Sequence, residues 1–135
     1  MKGDSAVLKG IDNVGVAVTD LTRSVAFYEK LGFTKGYDYE ADVTGCTMNA
    51  GSAVLFLFQT KQASPQAVKR DPSLAQNPPG LDHISFAVED VNQVYAELKA
   101  KGVSFQGEPA DQDWGARLVG LKDPDGNNLY FLQYL

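Results

Sequence analysis

An internal repeat constrains the fold of this 135-residue chain more than any other feature of its sequence. Residues 11–33, IDNVGVAVTDLTRSVAFYEKLGF, align without a gap with residues 81–103, LDHISFAVEDVNQVYAELKAKGV, and six of the 23 aligned positions are identical. Two copies of a unit this long are too few for a solenoid, so they predict a domain of two similar modules related by a pseudo-twofold axis. Equivalent positions such as Asn13 and His83 are then expected to converge on one cleft.

Each copy contains the signals of a strand followed by a helix. Alternating apolar residues predict strands over 12–18 and 82–88, and apolar residues at helical spacing follow each of them. An aspartate stands at each predicted helix N-cap and a glycine follows the last apolar residue of each helix. These residues are Asp20 and Gly32 in the first copy, and Asp90 and Gly102 in the second.

Three more strands are predicted in each copy, which makes each module βαβββ. They span 33–39, 43–49 and 53–59 in the first copy, and 103–108, 116–122 and 127–134 in the second. We expect a single α+β domain with a first module over about 8–60, a linker or lid over about 61–80 and a second module over about 81–135. The linker holds four of the six prolines, and Ser64-Pro65 predicts a short helix there through Arg70.

Composition narrows the classes of partner. A net charge of −5 argues against nucleic acid, which requires a basic surface, and is compatible with a cationic ligand. The one cysteine, Cys46, excludes an intrachain disulfide and is expected to be a small buried residue in a reducing compartment. Neither a signal peptide nor a membrane-spanning segment is evident, so we expect a soluble, cytoplasmic protein that binds no membrane.

Three segments in order, VAVTDLTRSVAFYEKLGF, DHISFAV and WGARLVGLKDPDGNNLYFLQ, resemble the vicinal oxygen chelate superfamily. This superfamily includes glyoxalase I, extradiol dioxygenases, methylmalonyl-CoA epimerase, fosfomycin-resistance enzymes and metal-free bleomycin-resistance proteins. The resemblance implies two tandem βαβββ modules that form an open, barrel-like sheet around a cleft, commonly in a homodimer. In such proteins the cleft lies between modules of one chain or between modules of two chains, and the sequence leaves both arrangements open.

The resemblance also implies where a metal site would lie. The metal enzymes of the superfamily place ligands at the positions that are Asn13, Phe56, His83 and Tyr130 here. Of these only His83 is a plausible ligand, whereas a catalytic divalent site needs three protein ligands and an open position. We therefore expect neither a metal nor another cofactor. His83 is then a cleft histidine bonded to a neighbour, a general base, or, as the third alternative, a metal ligand.

The segment around Trp114 is similar to the bleomycin-resistance branch, in which a Trp-Gly pair precedes an arginine-containing strand, here with Arg117. Trp114 is a candidate for stacking on a ligand, and the alternative is a hydrophobic plug that holds its loop. The predicted ligand-binding residues are Asn13, Phe56, His83, Trp114, Arg117 and Tyr130.

The function that these observations favour is metal-free sequestration of a small, partly aromatic or cationic molecule, an antibiotic being one candidate. The alternative is a lyase or isomerase similar to glyoxalase or the epimerase, with a divergent metal site or with His83 as base and Arg117 holding an anionic substrate. A third is a protein-interaction module with a vestigial cleft. The sequence favours a binding protein over an enzyme.

Overall fold

The computed structural model describes residues 7–62, 70–71 and 74–135, and it contains the two predicted βαβββ modules. The first consists of β1 (Val14–Val18), α1 (Leu21–Lys30), β2 (Thr34–Glu40), β3 (Thr44–Ala50) and β4 (Ala53–Gln59). The second consists of β5 (His83–Ala87), α2 (Val91–Ala100), β6 (Ala110–Gln112), β7 (Ala116–Lys122) and β8 (Asn128–Tyr134). A 3₁₀ turn over Leu74–Gln76 precedes it, and the helix predicted from Ser64-Pro65 falls outside the described residues. Neither helix is long enough to cross a membrane.

Both helices begin and end as the sequence predicts. The carboxylates of Asp20 and Asp90 accept hydrogen bonds from backbone N–H groups in the first turns of α1 and α2, each at 3.1 Å. Gly32 and Gly102 follow the helices with φ of +107° and +90°, which favours glycine.

A second capping contact was not predicted. The side-chain oxygen of Gln59 accepts from the N–H of Leu21 at 2.7 Å, and that of Gln133 accepts from Val91 at 2.9 Å. Both glutamines belong to the last strand of their module, in equivalent positions of the two sheets. The contact ties each helix to its sheet and satisfies one of the N–H groups that a helix start leaves free.

Each module forms its own four-stranded sheet, in the orders β1-β4-β3-β2 and β5-β8-β7-β6. The first and last strands of each module pair in parallel, and the register is the same in both. Gly15 is paired with Phe56, and Ser85 is paired with Tyr130. The α+β class and the open arrangement of tandem βαβββ modules are thus confirmed, and within one chain the strands form two unclosed four-stranded sheets.

The predicted strand over 103–108 is wrong. Val103 turns into the core with 7% of its surface exposed, and the pairing with β7 begins only at Ala110. Pro109 lacks the N–H that a paired strand would donate, and so it ends the possible ladder on that side. Upstream of it, a single backbone bond from Gln106 to Gly120, 2.8 Å long, holds the segment near β7.

One hydrophobic core joins the two modules. It includes Tyr28, Met48 and Leu57 from the first module and Val91, Leu121 and Leu129 from the second. Phe33 and Phe86 meet across the boundary between modules with ring centroids 5.4 Å apart. The core residues lie on the helix-covered face of each sheet, and we call the opposite faces, which point away from this core, the outward faces.

Polar contacts fix the same arrangement at the Asp-Pro-Asp-Gly turn between β7 and β8. The buried Tyr28 hydroxyl donates to Asp123 at 2.9 Å. The hydroxyl of Thr19 donates to Asp125 at 2.6 Å, and Arg23 forms an ion pair with that carboxylate at 3.6 Å. Burial, followed by the neighbouring Asp123 carboxylate, raises the pKa of Tyr28, so the phenol remains a donor. We call this cluster the inter-module latch.

Tyr28→Phe should lower the free energy of unfolding by about 1–3 kcal/mol, because it removes a buried hydrogen bond to a carboxylate. Urea denaturation measures this loss. Tyr95→Phe is the matched control, since its hydroxyl accepts only an exposed bond from Lys99, and it should cost less than about 0.5 kcal/mol. Equal, small losses in both variants would mean that the latch contributes little to stability.

Candidate functional site

The outward faces of the two sheets carry the four positions at which the resemblance places metal ligands. Phe56 lies on the face of the first sheet and Asn13 immediately precedes its β1, whereas His83 and Tyr130 lie on the face of the second. The structure therefore brings the residues together in two pairs, one in each module. The cavity that His83 and Tyr130 line is lined by neither Asn13 nor Phe56.

The first module presents an aromatic surface. Phe56 is stacked on Phe58 with ring centroids 5.6 Å apart, and Tyr39 meets the Phe56 ring edge-on at 5.5 Å. Gly45 makes room for this arrangement, because a Cβ there would lie 3.1 Å from the Phe56 ring. Asn13, at the edge of this surface, donates a hydrogen bond from its amide to Asp12 at 2.8 Å.

The second module contains a cavity of about 390 Å³ on its outward face. Its floor is formed by β5, β8 and β7, and its wall by β6 and the segment that precedes it. The polar side chains in its lining are His83, Ser85, Gln106, Glu108, Gln112 and Tyr130. The large apolar ones are Leu74, Trp114, Leu118 and Leu132. This space is in the range of small-molecule sites, which are mostly apolar with a few oriented polar groups.

Gly120 on β7 shapes the cavity floor. A Cβ at this position would lie 2.8 Å from the Gln106 side-chain oxygen and 3.2 Å from the Tyr130 ring. Both contacts are closer than ordinary packing allows, so glycine lets the amide and the phenol approach the sheet together. Burial, followed by the Asp82 carboxylate, raises the pKa of Tyr130, and its phenol is therefore neutral at physiological pH.

His83 is oriented by its neighbour in sequence. The Nδ1 atom of its imidazole lies 2.7 Å from a carboxylate oxygen of Asp82, and its ring meets that of Tyr130 edge-on with centroids 4.8 Å apart. Asp82 also accepts a hydrogen bond from Asn77 at 2.8 Å and lies 3.7 Å from the Arg70 guanidinium. The bonds from His83 and Asn77 lower the pKa of Asp82, which is therefore an anion near neutral pH.

The other two predicted ligand-binding residues have different surroundings. Trp114 lines the cavity and is 54% exposed, so it does not fill the interior of its loop. Its ring packs against that of Tyr134, with ring centroids 6.3 Å apart. Arg117 forms an ion pair with Asp111 at 2.6 Å. Because Leu118 faces the cavity and strand residues alternate, Arg117 lies on the opposite side of β7 and does not line the cavity.

Sequence reasoning missed several residues of this site. Asp82 was visible as a signal, since it is identical to Asp12 in the repeat, but only the structure shows that it contacts His83. Gln106 was placed on a strand that does not form there, and Gln112 lies on the three-residue β6, which no sequence pattern indicated.

A second cavity, of about 520 Å³, lies between α1, β2 and β3 in the first module. Its floor includes Cys46, which is buried as predicted, and burial raises the pKa of its thiol. Lys35 and Asp38 at its edge form an ion pair at 2.7 Å. None of the predicted site residues lines this cavity.

The family model of the Glyoxalase/Bleomycin resistance protein/Dioxygenase superfamily matches residues 10–131. The chain belongs to this superfamily. It is 30% identical over 130 residues to the uncharacterized protein YwkD of Bacillus subtilis, covering 88% of this chain and 92% of that protein. Among solved structures it is similar to a glyoxalase family protein from Enterococcus faecalis, at 26% identity, a TM-score of 0.74, and 92% and 97% coverage. It also shares its fold with the fosfomycin resistance protein FosX of Listeria monocytogenes, at 15% identity, a TM-score of 0.72 and 95% coverage of each chain.

The donor atoms at the four positions where the superfamily's metal enzymes have ligands determine whether this chain could bind a catalytic metal ion. Phe56 has no donor atom, Asn13 offers a neutral amide already bonded to Asp12, and the phenol of Tyr130 is protonated. Only His83 remains, and among the described residues no three histidine, cysteine or acidic side chains are grouped as metal ligands. This set does not fit the three protein ligands of a catalytic divalent ion.

The protein purified without chelators should therefore contain no stoichiometric zinc, nickel, iron or manganese, as measured by elemental analysis. Addition of each ion should leave the melting temperature unchanged, because a ligand that binds only the native state would raise it. Stoichiometric metal that is lost in His83→Ala would contradict this prediction.

Proposed function

We propose that this member of the glyoxalase/bleomycin resistance superfamily is a metal-free binding protein that sequesters a small, partly aromatic ligand. The observation that carries the proposal is the cavity of the second module. Trp114, Tyr130 and His83 line it together, and the His83 imidazole is oriented by Asp82. An exposed tryptophan beside a cavity supplies stacking of about 0.5–1.5 kcal/mol, and a cation over its face adds about 0.5–2 kcal/mol.

The charge of the cavity favours a neutral or cationic ligand. The described residues that line it include one carboxylate, Glu108, and neither lysine nor arginine. Arg117 lies on the other side of the sheet, paired with Asp111, and its charge is thereby partly offset. An anionic ligand would lose hydration in this cavity without gaining a cationic partner, so it should bind poorly.

The proposed cleft is completed by a second copy of the chain. In one chain Phe56 does not line the cavity that contains His83, so one copy's first module would face another copy's second module for the two pairs to meet. The edge strands β1 and β5 are preceded by exposed apolar side chains, with Ile11 84% and Leu81 90% exposed. Exposed apolar groups beside a free sheet edge support burial by a partner.

Benzamidine, a flat aromatic cation, should change the fluorescence of Trp114, the only tryptophan, whereas benzoate, an anion of the same shape, should not. Tyr130→Ala should weaken benzamidine binding by about three- to tenfold, because an aromatic contact is worth about 0.5–1.5 kcal/mol. Fluorescence titration measures both effects.

Tyr95→Ala is the control for this titration, since Tyr95 packs on Phe105 on the helix side of the sheet and does not line the cavity. Equal responses to benzamidine and benzoate would contradict the charge preference. An unchanged affinity in Tyr130→Ala would remove Tyr130 from the site.

Sedimentation of the purified protein should give a dimer, and Ile11→Asp or Leu81→Asp should raise its dissociation constant at least tenfold, since a charge would be buried without a partner. Ala96→Asp is the control, because Ala96 is exposed on α2, on the helix-covered side of its sheet and away from both edges. A monomeric wild-type protein would refute the shared cleft.

A further inference from the structure

We infer that Asp82 is a positioning residue that presents His83 to the second module's cavity as a hydrogen-bond acceptor, so that the ligand of this site carries an N–H or O–H donor. This inference rests on the proposed function and specifies the chemistry of its ligand.

The Nδ1 atom of His83 lies 2.7 Å from the Asp82 carboxylate. An ionised carboxylate only accepts hydrogen bonds, so the imidazole nitrogen must donate. In a neutral imidazole the other nitrogen, Nε2, is then an acceptor. The ring lines the cavity, and Nε2 has no hydrogen-bond partner within the described part of the chain.

Asp82 is itself held in place by Asn77 and Arg70. Its second oxygen accepts from Asn77, whose amide also exchanges two hydrogen bonds with the backbone of Asp71. Arg70 lies 3.7 Å from the same oxygen and donates to the carbonyl of Pro78 at 2.6 Å. These contacts come from the end of the connection between modules and keep the carboxylate charged and in place. His83 is therefore oriented by a supported network rather than by one mobile side chain.

The first module also has an aspartate that is hydrogen-bonded to the next residue. Asp12, the repeat partner of Asp82, accepts from the amide nitrogen of Asn13, the repeat partner of His83. In both modules the aspartate holds the donor atom of the next residue. The atom left over is an acceptor in each case, the amide oxygen of Asn13 and Nε2 of His83. The two module faces thus offer acceptors at equivalent points.

The surroundings of Nε2 determine which donors it can receive. Trp114, Leu118 and Leu132 give the cavity an apolar lining, which suits a flat ring. A ligand ring without a donor would leave Nε2 buried and unpaired, and that carries a cost. The ligand class is therefore an aromatic molecule, neutral or cationic, with a ring or substituent N–H or O–H.

The tautomer can be measured directly, because His83 is the only histidine of the chain. Long-range ¹H–¹⁵N correlation spectra of the protein, recorded under conditions in which the spectrum itself shows a neutral imidazole, distinguish the two nitrogens. We expect the proton on Nδ1 in the wild-type protein and in Asp12→Ala, the repeat-matched control. In Asp82→Ala the proton should move to Nε2. A wild-type spectrum with the proton on Nε2 would overturn the inference, whether or not either variant folds.

The ligand requirement is tested with indole and 1-methylindole, in which a methyl group replaces the N–H donor. Indole should bind about two- to tenfold more tightly, followed through the His83 ring resonances, and this advantage should disappear in Asp82→Ala but persist in Asp12→Ala. Equal or tighter binding of 1-methylindole would overturn the donor requirement and leave aromatic binding intact. If neither indole binds while benzamidine does, the inference alone fails. If none of the three binds, the proposed function fails with it.

Discussion

The inter-module latch is the constraint on which the rest of the structure depends. Tyr28, Thr19 and Arg23 of the first module all contact the turn between β7 and β8 of the second. With the shared core, these contacts direct the helix-covered faces of both sheets inward. The outward faces, which carry all the candidate chemistry, are consequently separated within one chain.

The repeat explains why so much of this fold could be predicted from the sequence. Caps, strand alternation and glycine positions are local signals, and each occurs twice, so Asp20 and Asp90, or Gly32 and Gly102, support one another. The displaced β6 could not be predicted in this way, because the second copy diverges from the first after Val103. There the pairing depends on Pro109 and on the burial of Val103, which are set by contacts with the core rather than by periodicity.

The sequence predicts which positions carry the candidate site residues, but it does not predict how the two groups of residues are arranged relative to each other. Phe56, His83 and Tyr130 lie on outward faces, as strand alternation predicts, whereas the orientation of the two sheets follows from long-range contacts that no local pattern reports. The sequence also did not predict on which side of its strand Arg117 lies. Its type suggested a ligand contact, but its register places it on the far side of β7, beside Asp111.

The two modules have diverged in chemistry while keeping one framework. In the first, Phe56 and Phe58 form an aromatic surface beside Asp12 and Asn13, and in the second a cavity surrounds Asp82 and His83. The aspartate is common to both modules, and in each its carboxylate orients the next residue. In a twofold dimer each first-module surface would face a second-module cavity, and the pairing would occur twice. One duplicated chain would then supply two equivalent clefts, each with a flat aromatic wall opposite an oriented acceptor.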